Sequence, residues 1–216
     1  MSSESPEPTS VDERRSVRKR RAILAAAATV FLQKGYLGTS MDEVAALASV
    51  SKQTVYKHFA DKERLFAEIV AAMVDEVSIP VHEVVLHLDE SDDLEAGLQD
   101  LARRQLAMVM QPRLLHLRRL VIGEAARFPE LGRTFYERGP ERTIDALAAV
   151  FEQLAERGVL DVDDPRLAAA HFNWLVMSIP LNQAMLRGTD EPASPEELDR
   201  YADAGVRAFV RAYAHR

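Results

Sequence analysis

Apolar side chains recur every three or four residues along most of the 216-residue chain, the spacing with which a helix buries one face. The first such stripe runs from Arg18 to Lys34 and is closed by Gly35. Longer helical patterns cover residues 62–88, 93–110, 113–127, 131–157, 165–187 and 195–213. Pro80 is expected to kink or end the first of these. Strand-type alternation is absent from the sequence, so the pattern predicts an all-α fold of about nine helices.

Short, well-capped helices are predicted within residues 40–62. Ser40-Met41-Asp42-Glu43 is a capping box, in which the Ser40 hydroxyl and the Glu43 carboxylate each satisfy a backbone amide. Ser51 is suited to cap a second short helix, and Asp61 to cap the long helix that follows. Two short helices joined by a tight turn can brace one helix across a phosphate backbone and present the next to a major groove. This segment is therefore a helix-turn-helix candidate.

Charge is divided unevenly along the chain, whose net charge is −7. The stretch from Arg14 to Lys62 has ten basic and three acidic residues, which makes it +7 and the remainder −14. Within it, Arg14 to Arg21 holds six basic residues. Charges this dense repel one another unless an anion is near, which favours an arm on DNA over the alternative of a solvated helix start.

The second short helix combines an apolar inner side with a polar outer side. Val55 and Phe59 are four residues apart and face inward. The outward positions carry side chains that suit phosphate and base edges: Lys52, Gln53, Thr54, Tyr56, Lys57 and His58. An ordinary solvated helix is the alternative interpretation, and the caps and the local positive charge favour DNA binding over it.

Four consecutive motifs resemble the DNA-binding domain of TetR-family transcriptional repressors. They are Gly35-Tyr36, Thr39 to Ala45, Val50 to Phe59 and Asp61 to Phe66, and the resemblance covers roughly residues 18–68 without a gap. It implies that Thr39 and Ser40 contact phosphate, that Ser51, Lys52, Gln53, Thr54 and Lys57 lie in the groove, and that Tyr56, His58 and Lys62 hold the DNA backbone.

One turn position departs from the family pattern. The residue that the family usually gives to glycine is Ser49 here. A left-handed conformation at that position would cost on the order of 1 kcal/mol, which does not threaten the fold.

The second part of the chain resembles the AefR-like branch of the same family through the run from Gly123 to Leu131. The resemblance implies a helical dimer whose last two helices form a four-helix interface, with a ligand pocket among the helices between that interface and the DNA-binding domain. Along the final helix, apolar and small residues predict the dimer contact: Leu198, Ala202, Gly205 and Phe209.

Large apolar side chains of this second part are candidates for lining an effector pocket. They are Met108, Phe128, Phe135, Tyr136, Phe151, His171, Trp174 and Met177. Residues at helical spacing more often form plain core, so for any single position the core is the competing interpretation.

Several other kinds of function are disfavoured. The chain has no cysteine, which excludes disulfides and thiolate chemistry and fits the cytoplasm. His82 and His87 are five residues apart, about 140° around a helix, so they do not form a zinc-protease pair, and no metal or cofactor is expected. No apolar run is long enough to span a membrane. No set of acid, base and nucleophile is visible, which argues against an enzyme.

The sequence therefore predicts three segments: a disordered tail at 1–13, a helix-turn-helix DNA-binding domain at 14–66, and a helical regulatory and dimerisation domain at 67–216. The expected function is that of a cytoplasmic homodimeric repressor, which binds a palindromic operator and is released by a small apolar effector. The alternatives are a constitutive DNA-binding protein without an effector and, remotely, a helical enzyme.

Overall fold

The computed structural model describes residues 10–85, 93–187 and 193–214. In these ranges the chain is helical, with connecting turns and one isolated bridge between Leu160 and Ala214. The helices are α1 (Ser10–Gly38), α2 (Met41–Leu47), α3 (Lys52–His58), α4 (Lys62–Val85), α5 (Leu94–Val109), α6 (Pro112–Glu124), α7 (Pro129–Tyr136), α8 (Arg142–Glu156), α9 (Pro165–Leu186) and α10 (Pro195–Tyr213). The predicted all-α fold is confirmed.

The chain divides into two compact units, with the division between Val70 and Ala71. This point lies within α4, a few residues beyond the boundary at 66 that the sequence predicts. Helix α1 begins at Ser10, inside the segment predicted as a tail, and Met1 to Thr9 lie outside the described residues.

The first unit is held together by aromatic and aliphatic side chains from α1 to α4. Phe31 of α1 stacks on Phe66 of α4 with a ring-centroid distance of 4.8 Å, and Tyr36 lies 5.3 Å from Phe66. Val44 and Val55, from α2 and α3, are fully buried. Gly35 has a φ of 71°, which interrupts α1 where the sequence predicts its end.

Side-chain caps define the helix starts in this unit. Ser40 Oγ accepts from the amide of Glu43, and Asp61 Oδ1 accepts from the amide of Arg64 at 2.7 Å. The Glu43 carboxylate, predicted to complete a capping box, instead accepts from Lys34 Nζ. Ser49 adopts a φ of 53°, the left-handed conformation considered for that turn.

The second unit has a continuous apolar core formed by α4, α5, α8, α9 and α10. Phe151, Phe172 and Phe209 are fully buried at its centre, with ring-centroid distances between 5.0 and 6.1 Å. Arg103 of α5 makes a two-pronged ion pair with Asp203 of α10, with both distances at 2.8 Å.

Pro80 and Pro140 differ in their effect on the helices that contain them. Helix α4 continues past position 80 to Val85, so Pro80 does not end it. The helix predicted for 131–157 is divided into α7 and α8 by a π-helical turn, Glu137–Glu141, that contains Pro140. Proline lacks an amide hydrogen and its ring clashes with the preceding turn, which explains the interruption.

No helix in the described ranges combines the length and apolar composition that crossing a membrane requires.

Candidate nucleic-acid interface and ligand cavity

Helix α3 presents a polar surface from a helix that is anchored underneath. Val55 and Phe59 are buried against the core of the first unit. Lys52, Gln53, Tyr56 and Lys57 are exposed, while Thr54 and His58 are half-buried. Because these outward groups are hydrogen-bond donors and acceptors on a short, well-capped helix, the surface can contact phosphates and base edges.

Three of the predicted groove residues, Ser51, Lys52 and Thr54, stabilise the start of α3. Their contacts are with one another and with α2. Ser51 Oγ accepts from the amide of Thr54 at 3.1 Å and lies 2.8 Å from Thr54 Oγ1. Lys52 Nζ pairs with Asp42 Oδ1 at 2.7 Å, and this hydrogen bond and charge raise the pKa of Lys52. Lys52 therefore remains a cation. To contact a phosphate, its ammonium must either bind phosphate and Asp42 together or break the ion pair with Asp42.

The two residues predicted at the entry to α2 differ. Ser40 is exposed and caps the helix. Thr39 is only 4% exposed, and its hydroxyl donates to the carbonyl of Gly35 at 2.8 Å. The Thr39 hydroxyl therefore satisfies a carbonyl near the end of α1, and its contact with phosphate stays a prediction.

Cations surround the end of α3. Burial and the charges of Arg20, Lys57 and Lys19, in that order, lower the pKa of His58. The three neighbouring cations make the local potential positive, which suits a phosphate.

Lys62, the last residue predicted to hold DNA backbone, contacts groups within the first unit. Its ammonium lies 4.6 Å from the centre of the Tyr36 ring and 3.5 Å from the carbonyl oxygen of Leu37. These contacts direct Lys62 toward the end of α1.

The predicted basic arm forms the first turns of α1. From Arg14 to Arg21 its basic side chains are exposed, except for the half-buried Lys19. Arg20 pairs with Glu68 and lies over the Phe59 ring, which ties it to the first unit. The other basic side chains present a positive surface, which is compatible both with an arm on DNA and with a solvated helix start.

The second unit contains a cavity of about 70 Å³ that is partly open to solvent. Its wall combines many apolar side chains with a few polar ones. The lining residues come from α4, α5, α6, α7, α8, α9 and the π-helical turn: Val74, Val77, Ser78, Val81, Gln105, Val109, Leu114, Arg118, Phe135, Gly139, Pro140, Thr143, Asn173, Trp174, Met177 and Leu181. This composition is typical of sites for small organic molecules.

Three of the predicted pocket residues lie on the cavity: Phe135, Trp174 and Met177. The other five do not line it. Phe151 is core, Met108 packs against the core, and Tyr136 is exposed. Phe128 lies beneath Arg127, and His171 is exposed and hydrogen-bonded to Tyr213.

The polar residues of the cavity were not predicted from the sequence. Gln105, Thr143 and Asn173 occupy positions on helices whose neighbours one turn away are apolar, so they are buried rather than solvated. A polar residue within an apolar stripe is the signal that could have identified them.

Comparison with known proteins matches a family model to each of the two units. Residues 23–69 match the model of bacterial regulatory proteins of the tetR family, and residues 96–215 match the AefR-like transcriptional repressor C-terminal domain. The chain belongs to the TetR family. It is therefore a transcriptional regulator and not an enzyme, and the predicted resemblance is confirmed.

Solved structures of TetR-family regulators are similar over nearly the whole chain. A regulator from Mesorhizobium loti is 47% identical, with a TM-score of 0.87, over 93% of this chain and 98% of that one. The flavonoid-responsive regulator FrrA is 33% identical, with a TM-score of 0.72, over 93% and 99% of the two chains.

Curated relatives show where the sequence similarity is concentrated. The regulator YhgD of Bacillus subtilis is 41% identical in an alignment of 80 positions that covers 32% of this chain and only 42% of YhgD. The repressor SCO4008 of Streptomyces coelicolor is 28% identical over 78% of this chain and 83% of its own length.

TetR regulators usually act as homodimers. The four residues of α10 that the sequence predicts for the dimer contact are buried within their own chain. Ala202 and Phe209 are 0% exposed, Leu198 is buried, and Gly205 packs against the backbone of Leu175. These four residues join α10 to the core of their own chain, so their side chains leave little surface for a partner. An apolar stripe does not reveal which neighbour covers it, and the dimer contact of α10 stays a prediction.

Helix α9 has an apolar surface that its own chain leaves uncovered. Its exposed members are Leu167, Trp174, Leu175, Ile179 and Leu186. The adjacent helix α10 has exposed alanines at four-residue spacing: Ala204, Ala208 and Ala212. Large side chains beside small ones allow two helix pairs to pack closely.

Among the described residues, no cluster of three or more potential ligands could hold a metal ion. His87, which the sequence spacing disfavours as a zinc ligand, lies outside those residues.

Proposed function

We propose that this protein is a homodimeric transcriptional repressor that binds a pseudo-palindromic operator and is released by a small, mainly apolar effector. The observation that carries the proposal is the polar, cation-flanked surface of α3 in a chain that also holds a partly open apolar cavity. SCO4008, a similar protein, is a repressor, which supports repression over activation. An operator-binding protein works beside the chromosome, so its expected location is the cytoplasm.

The proposed DNA contact is made by side chains on and around α3. Ser51, Lys52, Gln53, Thr54 and Lys57 work in the major groove. Ser40, Tyr56, His58 and Lys62 hold the phosphate backbone on either side of it. A dimer places two α3 helices about one helical turn apart, roughly 34 Å, so that both enter successive major grooves.

The proposed dimer contact uses the exposed face of α9 and the alanines of α10. Leu175 and Ile179 are one turn apart near the middle of α9, and both are more than two-fifths exposed. Covering such residues with a second copy removes apolar surface from water, which favours association.

The proposed release mechanism depends on α4. This helix contributes Leu65 and Phe66 to the core of the first unit and Val74 and Ser78 to the cavity wall. A ligand that favours another position of the cavity-lining part of α4 changes the spacing of the two α3 helices and weakens operator binding. A coupling of about 1–3 kcal/mol changes affinity about five- to 150-fold.

Selection of bound sequences from random duplexes tests the operator, and small apolar compounds then test its release. The similarity to a flavonoid-responsive regulator makes a flavonoid a sensible first compound. The proposal expects an inverted repeat and a compound that lowers its affinity. A site without symmetry contradicts the dimeric mode, and persistent binding with a fully occupied cavity favours a constitutive DNA binder.

A further inference from the structure

The cavity wall includes a cation, Arg118, that forms no ion pair within the described part of the chain. Arg118 of α6 lines the cavity, and its guanidinium carbon lies 5.0 Å from the centre of the Phe135 ring. Within the described ranges no carboxylate pairs with it, whereas Arg113 on the same helix pairs with Glu76 at 3.4 Å. Burial lowers the pKa of Arg118 below its ordinary value. A half-buried guanidinium without a carboxylate partner favours an anion, so a ligand that supplies one there gains affinity.

Two neutral polar groups of the same cavity are also unsatisfied. Ser78 and Gln105 are each only 4% exposed, and neither Ser78 Oγ nor Gln105 Oε1 has a hydrogen-bond partner among the residues that the structure describes. The other end of the Gln105 amide donates to Asn173 Oδ1 at 3.0 Å, which fixes its orientation. Buried polar atoms without partners are rare in proteins, and a bound molecule can satisfy them.

The remainder of the wall is apolar and partly aromatic. Phe135 and Trp174 offer ring faces, and Val74, Val81 and Leu181 add aliphatic surface. Aromatic walls favour a flat ring that stacks or meets them edge to face.

We propose that the effector is a mainly apolar, aromatic molecule with one organic anionic group, such as a carboxylate, which binds the guanidinium of Arg118 in the cavity. Gln105 Oε1 and Ser78 Oγ hold polar groups elsewhere on the same molecule. Arginine suits this role because its planar fork can donate two parallel hydrogen bonds to a carboxylate. This inference rests on the proposed function, because it names the chemical class of that effector.

Three probes with the same naphthalene body isolate the charge. Naphthoate is an anion, naphthamide is neutral, and naphthylmethylammonium is a cation. Isothermal titration calorimetry on the full chain measures their dissociation constants. We expect naphthoate to bind at least about tenfold more tightly than naphthamide, and the cation to bind most weakly. Equal affinities for naphthoate and naphthamide, or no binding of naphthoate, overturn the proposal.

Arg118→Met tests the residue itself, and Arg113→Met is the matched control on the same helix. Arg118→Met should remove the preference for naphthoate and keep the affinity for naphthamide, while Arg113→Met keeps both. Trp174, the single tryptophan, lies on the cavity and reports occupancy by its fluorescence. Circular dichroism melting checks that both variants fold. An unchanged preference in folded Arg118→Met overturns the proposal.

Operator binding is measured separately, so that the two proposals can fail independently. If naphthoate binds through Arg118 but leaves operator affinity unchanged, the charge preference is upheld and the proposed release mechanism is contradicted. If only neutral or cationic compounds release the operator, the mechanism is upheld and the anionic effector is overturned.

Discussion

Gln53 and Lys57 lie one turn apart on the exposed side of α3, and the proposed complex gives them different tasks. Lysine neutralises phosphate, whereas the glutamine amide can pair with an adenine edge. Lys57→Ala should weaken binding to all duplexes and reduce the slope of log affinity against log salt by about 0.9. Gln53→Ala should cost about 1–3 kcal/mol of discrimination between bases.

Fluorescence anisotropy at several salt concentrations, with operator and scrambled duplexes, measures both effects. The assignment is contradicted if Lys57→Ala leaves the salt slope unchanged, or if Gln53→Ala weakens both duplexes equally.

Ser49 holds a left-handed conformation that glycine adopts without a steric penalty. Ser49→Gly should therefore raise the free energy of unfolding by up to about 1 kcal/mol. Ala48, the preceding residue, is the control, because its φ of −76° is right-handed and Ala48→Gly should lower stability by roughly 0.5–1 kcal/mol. Denaturant unfolding followed by circular dichroism measures the free energy of unfolding of both variants. If Ser49→Gly lowers it as much as Ala48→Gly does, Ser49 is not strained.

Individual residues show what the sequence could and could not predict. The caps at Ser40, Ser51 and Asp61 follow from local chemistry and are confirmed. The burial of Thr39 was not predictable, because it depends on how the chain turns after Gly35. Arg118 was not predictable either, since its desolvation is created by several helices that meet at the cavity.

At the scale of elements, helix positions could be predicted where a cap or a periodic stripe is strong. Helix α10 has the predicted bounds, and Asp93 and Asp164 cap α5 and α9 through their side chains. The division of 131–157 depends on Pro140 and on tertiary contacts. Arg138, beside this proline, pairs with Asp75 of α4 at 2.7 Å and links the π-helical turn to α4.

Gly205 allows α9 and α10 to approach closely. A Cβ atom at this position would lie 3.0 Å from the carbonyl carbon and oxygen of Leu175. Since this backbone is held within α9, Gly205→Ala should lower the free energy of unfolding by about 1–3 kcal/mol. Gly123 is the control, because a Cβ there meets nothing within 4 Å and Gly123→Ala should stabilise α6 by up to about 1 kcal/mol.

Urea unfolding followed by Trp174 fluorescence reports on the unit that contains both glycines. A Gly205→Ala variant as stable as the unchanged protein would show that the two helices can separate without cost.

At the scale of the whole molecule, the proposed dimer depends on the exposed face of α9. Ile179 is 51% exposed, and Ile179→Glu places a charge where a partner would cover it. Sedimentation velocity should show a shift from dimer to a monomer of 24.1 kDa. Ile122→Glu on α6 is the matched control, because Ile122 is 61% exposed outside the proposed face and the dimer should persist.

An Ile179→Glu variant that remains as dimeric as the unchanged protein contradicts this interface. Dissociation by Ile122→Glu would place the contact on α6 instead. In this proposal the dimer face lies on the two helices that the sequence predicts but uses other residues of α10, because both sides of the α9–α10 pair include apolar or small residues.

Methylation protection of a selected operator tests the central claim most directly, because it reports which guanine N7 atoms the bound protein covers in the major groove. The account predicts two protected major-groove patches about one helical turn apart, each lost when Gln53 and Lys57 are both replaced by alanine. Protection that is absent from the major groove, or that is unchanged in the double variant, would contradict the placement of α3 on the DNA.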